Sequence, residues 1–545
     1  MLCVPITRGL CLCLILAGLQ LPTLSGLSSV DNGPQFDWKV VVEKSGSANV
    51  AVAITNGGQD SLTLYVPKTC QNLQIVPTLN YTLSLLSGNS YDELQVDCER
   101  TDQFNLSYVW PDGAVQYNEK FYFAGQEKPY VQKGEIAISL PEASFVHWIE
   151  GYDHFSGNTT NDLTFAVDSL QAIPSFSYTF PNMTQIAMIT RTSKHVTLTF
   201  YPIMEGKPWI DKTTEIVENQ WNWMRNILEG TINQVNITFA PYGYNDLGTK
   251  FGGFCYYSTR SIEIVATNQF GIGGDGWATA TLLHELTHAL TPLPEAFPSF
   301  YSEAIAQDFS YDALRRTELN ASADPCEENQ FTNAFEYGVK EGLLHYIYDW
   351  KWRDEINDNT TISNACYGTV AFAGDYFAHR WGYEYYHKLI NVFNSTEIAS
   401  LPDAQKLPKF LEYMSLACGC NVTQIMDTMP YMITRWSDAY NFRNEFLNYK
   451  LNSNGPFTES AQGTVDSMVK NATQQYDARN FESAISGFSQ VKEYVDDLQS
   501  QDTSYWKEQT ALWQKIALVA VVAFAAIVLL VIWSFRRKLR EALKR

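Results

Sequence analysis

Thr281-Leu282-Leu283-His284-Glu285-Leu286-Thr287-His288-Ala289-Leu290 is the stretch from which the rest of the chain can be read. Two histidines four apart stand one turn above the other on the same face of a helix, so both imidazoles can reach a single ion. Glu285 follows the first histidine and falls beside such an ion, where it can take a proton from water. The flanks agree with a helix of about four turns. Asp275 is available as an N-cap, Ala278, Leu282, Leu286, Ala289 and Leu290 make one apolar stripe, and Pro292 ends the run. The competing reading is an accidental spacing on an ordinary amphipathic helix. Zinc in a catalytic site takes three protein ligands and keeps one position open, so a third ligand decides between the two.

Downstream stands Pro298-Ser299-Phe300-Tyr301-Ser302-Glu303-Ala304-Ile305-Ala306. Pro298 can open a second helix that returns antiparallel to the first and turns Glu303 toward the histidines. Histidine, glutamate, two residues, histidine and then a glutamate on the next helix resembles the gluzincin metallopeptidases. Ser302-Glu303-Ala304-Ile305-Ala306 is similar to the Asn/Ser-Glu-Gly-x-Ala stretch of their aminopeptidase-like branch. The resemblance implies one catalytic zinc held by His284, His288 and Glu303, with Glu285 as general base.

The segment from Tyr367 to Glu384 resembles the part of that branch in which a tyrosine precedes a buried helix and a glycine. By that resemblance Tyr367 donates its hydroxyl to the oxyanion of the tetrahedral intermediate; a structural tyrosine is the alternative. One departure matters. Where the branch carries Gly-x-Met-Glu-Asn, whose glutamate grips a substrate's free amine, this chain reads Gly252-Gly253-Phe254-Cys255-Tyr256 and then Ser261-Ile262-Glu263-Ile264-Val265. No carboxylate occupies the glutamate's place. An edge strand there could still bind an extended peptide by strand addition. Cleavage within peptides is therefore expected, and an aminopeptidase that uses Glu263, Glu295 or Asp308 for the amine is the alternative.

The two ends of the chain speak about location. Residues 1–28 hold a single basic residue, Arg8, an apolar run from Leu10 to Leu19 and small residues near Ser25 and Ser28, the pattern of a secretory signal peptide. Ile516 to Trp533 is an uncharged apolar run of 18 residues, just long enough to span a bilayer, between Trp513 and a basic tail that starts at Arg536. That asymmetry predicts a single-pass type I anchor at the cell membrane with the bulk of the chain outside. Ten N-x-S/T sequons between Asn80 and Asn471 fit a glycosylated exterior.

Net charge is -21; setting aside Arg8 and the tail from Ser534, whose six basic residues and Glu541 carry +5, leaves -27 elsewhere. So acidic a surface argues against a nucleic-acid partner. Seven cysteines follow the signal segment, an odd number, so at least one is unpaired within the chain; Cys70 with Cys98 is the expected bridge.

Alternating strands such as Ser61-Leu62-Thr63-Leu64-Tyr65-Val66, broken by turns such as Asn56-Gly57-Gly58, predict an N-terminal antiparallel β-sandwich over residues 29–190. An α+β catalytic domain of the thermolysin-like zincin type is expected over residues 191–450, with a helix near Thr213 to Leu228. A helical stalk of one tetratricopeptide-like hairpin follows over 451–512, then a transmembrane helix over 513–534 and a cytoplasmic tail over 535–545. The chain thus reads as a membrane-anchored zinc metallopeptidase acting on peptides or proteins. A surface adhesion or receptor module that keeps the fold is the competing class, and retention of Glu285 argues against it, since a structural zinc site has no use for that carboxylate.

Overall fold

The computed structural model describes residues 34–84, 91–98, 101–117, 119–123, 134–149, 157–166, 174–241, 252–265, 272–292, 296–349, 352, 360–451 and 455–542. The expected signal segment and Glu295 lie outside the described residues. The N-terminal region is rich in β-structure and the remainder is mostly helical.

Strand Gln35–Val42 buries Phe36, Trp38, Val40 and Val42 and exposes or half-exposes the residues between, because successive side chains of a pleated strand point to opposite faces. It lies in a six-stranded sheet ordered Asp162–Ala166, Gly134–Ser139, Gln35–Val42, Ala48–Thr55, Gln103–Trp110, Gln71–Val76. The inner face of that sheet shares one core with a five-stranded sheet that supplies Phe121, Phe123, Phe176 and Tyr178. One pairing departs from the antiparallel expectation: Gln35–Val42 runs parallel to Gly134–Ser139. Parallel neighbours need a long connection, and the more than ninety residues between these strands include the strands from Ala48–Thr55 to Lys120–Phe123.

The expected bridge between Cys70 and Cys98 is not formed; both are free thiols. Cys70 precedes a strand of the six-stranded sheet, whereas Cys98 closes Tyr91–Asp97 in a separate three-stranded sheet and donates to the Val96 carbonyl at 3.6 Å. The disulfide that does form joins Cys418 to Cys420.

A second five-stranded sheet follows, ordered Ile189–Thr192, Val196–Phe200, Val235–Ala240, Ser261–Val265, Gly253–Tyr256. Its first strand straddles the boundary expected at residue 190 and belongs to this sheet. Helix α1 (Pro208–Leu228) carries the crossover between the parallel strands Val196–Phe200 and Val235–Ala240. It starts five residues before the expected Thr213, because Pro208 at the first helical position is preorganised for a helix start. Gly253–Tyr256 is an edge strand, antiparallel to Ser261–Val265.

The helical part comprises α2 (Gly276–Leu290), α3 (Ser299–Arg315), α4 (Asn320–Asn333), α5 (Thr360–Trp381), α6 (Glu384–Val392), α7 (Ser395–Ser400), α8 (Asp403–Cys418), α9 (Val422–Phe446), α10 (Pro456–Asp477) and α11 (Phe481–Ala542). Thirteen of the 15 residues of α2 are buried, so this helix is central rather than a surface helix with one apolar stripe. Helices α10 and α11 form the expected hairpin, but it is not a free stalk. Val465, Tyr476, Phe481, Phe488 and Val491 belong to the same hydrophobic core as α2 to α5. The turn between them inserts Arg479, whose guanidinium bonds both oxygens of Asp375 on α5 at 2.7 Å and Oε2 of Glu327 on α4 at 2.9 Å. Helix α11 then continues unbroken for 62 residues and contains a window long and apolar enough to cross a membrane.

Candidate metal centre

Helix α2 is set at both ends. Asp275 accepts from the Ala278 amide at 2.9 Å, the N-cap bond expected from its position. At the other end Arg260 Nη1 donates to the carbonyls of His288 and Thr291, at 3.3 and 2.6 Å, meeting acceptors that the helix itself leaves unpaired. Pro298 caps α3 and its carbonyl takes the amides of Tyr301 and Ser302. The two helices pack against each other, and one turn into α3 stands Glu303.

His284 Nε2 and His288 Nε2 lie 3.0 Å apart. Oε2 of Glu303 is 3.1 Å from the first and Oε1 is 3.4 Å from the second. All three side chains are buried or nearly so, and one ligand atom from each lies within 4.8 Å of the others, a group that could hold a metal ion. Donors at zinc–ligand distances around a tetrahedral centre stand about 3.3 to 3.4 Å apart, so this donor set fits one such ion. Behind His288, its Nδ1 faces Ser302 Oγ at 3.3 Å and the Tyr257 hydroxyl at 3.5 Å.

Glu285 and Tyr367 meet His284 in one cleft of about 320 Å³, floored by Gly252 and Gly253 and walled in part by Gln307 and Tyr311. Tyr367 projects from α5 with its ring edge-on to Trp352, the centroids 5.3 Å apart. Among the described residues lining the cleft, Glu285 is the sole carboxylate. Glu263 is turned elsewhere: its oxygens accept from Tyr117 at 3.2 Å and Tyr256 at 2.8 Å. Asp308 accepts from Tyr386 at 3.1 Å and lines a separate cavity of about 350 Å³ with Arg315, Glu327 and Arg479.

That separate cavity is strongly charged. Burial, and then Asp375, push Glu327 up to about 7 against the pull of Arg479 and Arg315. Burial first, then Asp312, Asp375 and Glu327, hold Asp308 well above the usual carboxylate range. Burial alone would raise Asp375 too, but Arg479 and His379 keep it well below that range.

Sequence reading missed Tyr257 and the close approach of Gly253. Tyr257 carries no motif, one tyrosine in a turn among 31, and Gly253, though inside the stretch read against the amine-binding motif, matters at close range only because a helix passes beneath it.

No protein-family model matches the chain, and no curated protein matches it either. Solved structures that align with it include native yeast LTA4 hydrolase, at a TM-score of 0.25 and 10% identity over 81% of this chain and 77% of that one. Native leukotriene A4 hydrolase from Saccharomyces cerevisiae aligns at 0.27 and 10%, over 86% and 85%. Legionella pneumophila aminopeptidase A in complex with aspartic acid aligns at 0.28 and 9%, over 72% of this chain and 48% of that one. Scores of this size carry no weight for fold or activity; the candidate metal centre rests on its own residues.

Proposed function

We propose that this chain is a membrane-anchored zinc metallopeptidase of the gluzincin type that hydrolyses bonds within extracytoplasmic peptides. The observation that carries it is the convergence of His284, His288 and Glu303 on one point, with Glu285 in the adjoining cleft. Zinc, when bound by those three residues, supplies Lewis acidity that lowers the pKa of water and polarises a carbonyl. Glu285 accepts the proton of the attacking water and delivers it to the leaving amine nitrogen, so that a neutral amine departs. Tyr367 donates a hydrogen bond to the carbonyl oxygen as negative charge gathers there, a role assigned by resemblance. The edge strand Gly253–Tyr256 borders the cleft at Gly253 and is the element along which an extended substrate would lie in this reading.

Preference for internal bonds rests on charge. An ammonium group taken into a cleft is costly to desolvate unless a carboxylate meets it. Glu263 and Asp308 are engaged away from this cleft, and Glu285 is committed to the proton. The thermolysin-like catalytic domain, the sandwich before it and the outward orientation belong to the same reading. The signal-like segment, the sequons and the basic tail after Trp533 support it.

The test is metal analysis of the chain together with a pair of peptides that differ only in N-terminal acetylation, read by mass spectrometry. One zinc per chain and equal internal cleavage of both peptides are expected. Glu285→Gln keeps the three ligands and the volume, so zinc content holds while turnover falls by about 10² or more. Cleavage of the free peptide alone, one residue from its start, would overturn the endopeptidase reading.

A further inference from the structure

We infer that the four-residue turn from Tyr257 to Arg260 is a positioning element for the metal ligand His288, a conclusion that rests on the zinc reading above. The turn joins Gly253–Tyr256 to Ser261–Val265 and touches His288 at two places. Tyr257 meets the ring: its hydroxyl is 3.5 Å from Nδ1, and its own ring stands edge-on to the imidazole at a centroid distance of 5.7 Å. Arg260 meets the backbone, with Nη1 on the His288 carbonyl at 3.3 Å and on that of Thr291 at 2.6 Å.

Arg260 is a costly choice for its position. It sits at φ +54°, a left-handed conformation that glycine or asparagine adopts more readily, and its amide closes the turn onto the Tyr256 carbonyl at 2.7 Å. The turn does not need an arginine; helix α2 does. A guanidinium at that helix's C-terminus pairs carbonyls left without partners and lies at the negative end of the helix dipole, so the backbone of His288 is clamped at the last full turn.

For Nε2 to offer a lone pair to an ion, the ring proton must sit on Nδ1. That N–H then donates toward two neutral oxygens, the Ser302 hydroxyl at 3.3 Å and the Tyr257 hydroxyl, which are themselves 3.3 Å apart. The two hydroxyls together hold the tautomer and the ring rotation without adding a negative charge. Hydroxyls also leave the imidazole less basic than a carboxylate partner would. Tyr257 and Arg260 are neither in the ligand group nor among the described residues that line the cleft; they act through His288.

The experiment is a zinc-affinity measurement on the full chain in detergent micelles, by competition with a chromophoric chelator, alongside thermal unfolding of the zinc-free protein. Tyr257→Phe, which keeps the ring packing, and Ser302→Ala are each expected to weaken zinc binding by roughly threefold to tenfold, the worth of one hydrogen bond. The double variant is expected to weaken it by about 10- to 100-fold, with metal-free unfolding unchanged. Arg260→Gln should speed zinc release in the same way. Unchanged affinity in the double variant, while the unmodified chain binds one zinc, overturns the inference. If the double variant does not fold, unchanged affinity in Tyr257→Phe overturns it instead. An unmodified chain that binds no zinc overturns the metallopeptidase reading, which is a different failure.

Discussion

A Cβ placed on Gly253 would lie 2.6 Å from Cγ of Glu285, so the edge strand passes over the proposed base with no room for a side chain. A real Cβ never approaches carbon so closely, and either the strand or the carboxylate must move. Gly253→Ala is expected to cut turnover by roughly 10²-fold, the effect of misplacing a reacting group by about 1 Å. Zinc content should be unchanged, which steady-state kinetics with metal analysis will show.

Tyr367 shares the cleft with His284 and Glu285 but supplies no metal ligand. Tyr367→Phe keeps the ring against Trp352 and removes only the donor. Loss of one preorganised donor to a developing oxyanion costs about 10²- to 10³-fold in kcat. KM and zinc affinity should stay within about twofold of the parent, as expected for a group that acts only in the transition state. An unaltered kcat would return Tyr367 to a structural role.

Arg479 ties the hairpin to α4 and α5 through Glu327 and Asp375, with its side chain almost fully enclosed. Arg479→Met removes the guanidinium that Asp375 and Glu327 share, leaving them only His379 and Arg315 respectively. The expected loss is about 3 to 5 kcal/mol of stability, measurable by denaturant unfolding. Metal binding at His284, His288 and Glu303 is expected to persist in whatever fraction stays folded.

The same cluster gives stability a pH dependence. Glu327 is raised to about 7, and Asp308 is raised as well, so between the ordinary carboxylate range and pH 7 the folded chain holds more protons than the unfolded one. Stability therefore falls as pH rises through that window. His379, raised by its bond to Asp375, adds in the same direction: its contribution is present below the ordinary imidazole value and is lost as pH climbs through the raised one. Asp375, held low, has the opposite sign, and its contribution is lost only under strong acid. Thermal unfolding is expected at a higher temperature near pH 5.5 than near pH 8. Glu327→Gln should flatten that slope.

Asp502 on α11 caps α10 from outside, accepting the Phe457 amide at 2.9 Å, the Thr458 amide at 3.0 Å and the Thr458 hydroxyl at 2.6 Å. A chain ending after Trp506 is expected to be soluble, folded and as active as the whole. Ending at Gln501 removes the cap and should cost about 1 to 2 kcal/mol in thermal or denaturant unfolding. Equal stability of the two truncations would show that the cap contributes nothing.

The candidate metal group was legible in the sequence because helical spacing is a local rule. Four residues bring His284 and His288 to one face whatever surrounds them, and Asp275 and Pro292 bound the helix by local capping and chain-breaking. Glu303 was within reach of the same reasoning, since a short loop forces the next helix back alongside the first. Alternation marked the strands for the same reason: a period of two belongs to the strand itself.

What the sequence by itself determined, then, is everything that repeats with a backbone period: the paired histidines, the strands and the apolar run after Trp513. Only the tertiary structure decided what meets across long separations. Gln35–Val42 lies parallel to a strand nearly a hundred residues on, and Cys70 and Cys98, each just outside a strand, stay unbridged. Arg479 reaches Asp375 across 104 residues and builds the hairpin into the body that local pattern had set apart as a stalk. Tyr257 and Gly253 acquire meaning only when a turn and an edge strand settle against α2. The physical reason is common to all four. Periodicity states which face of an element is apolar, but the partner of that face is chosen by packing the whole chain at once, where burial and charge pairing are satisfied together.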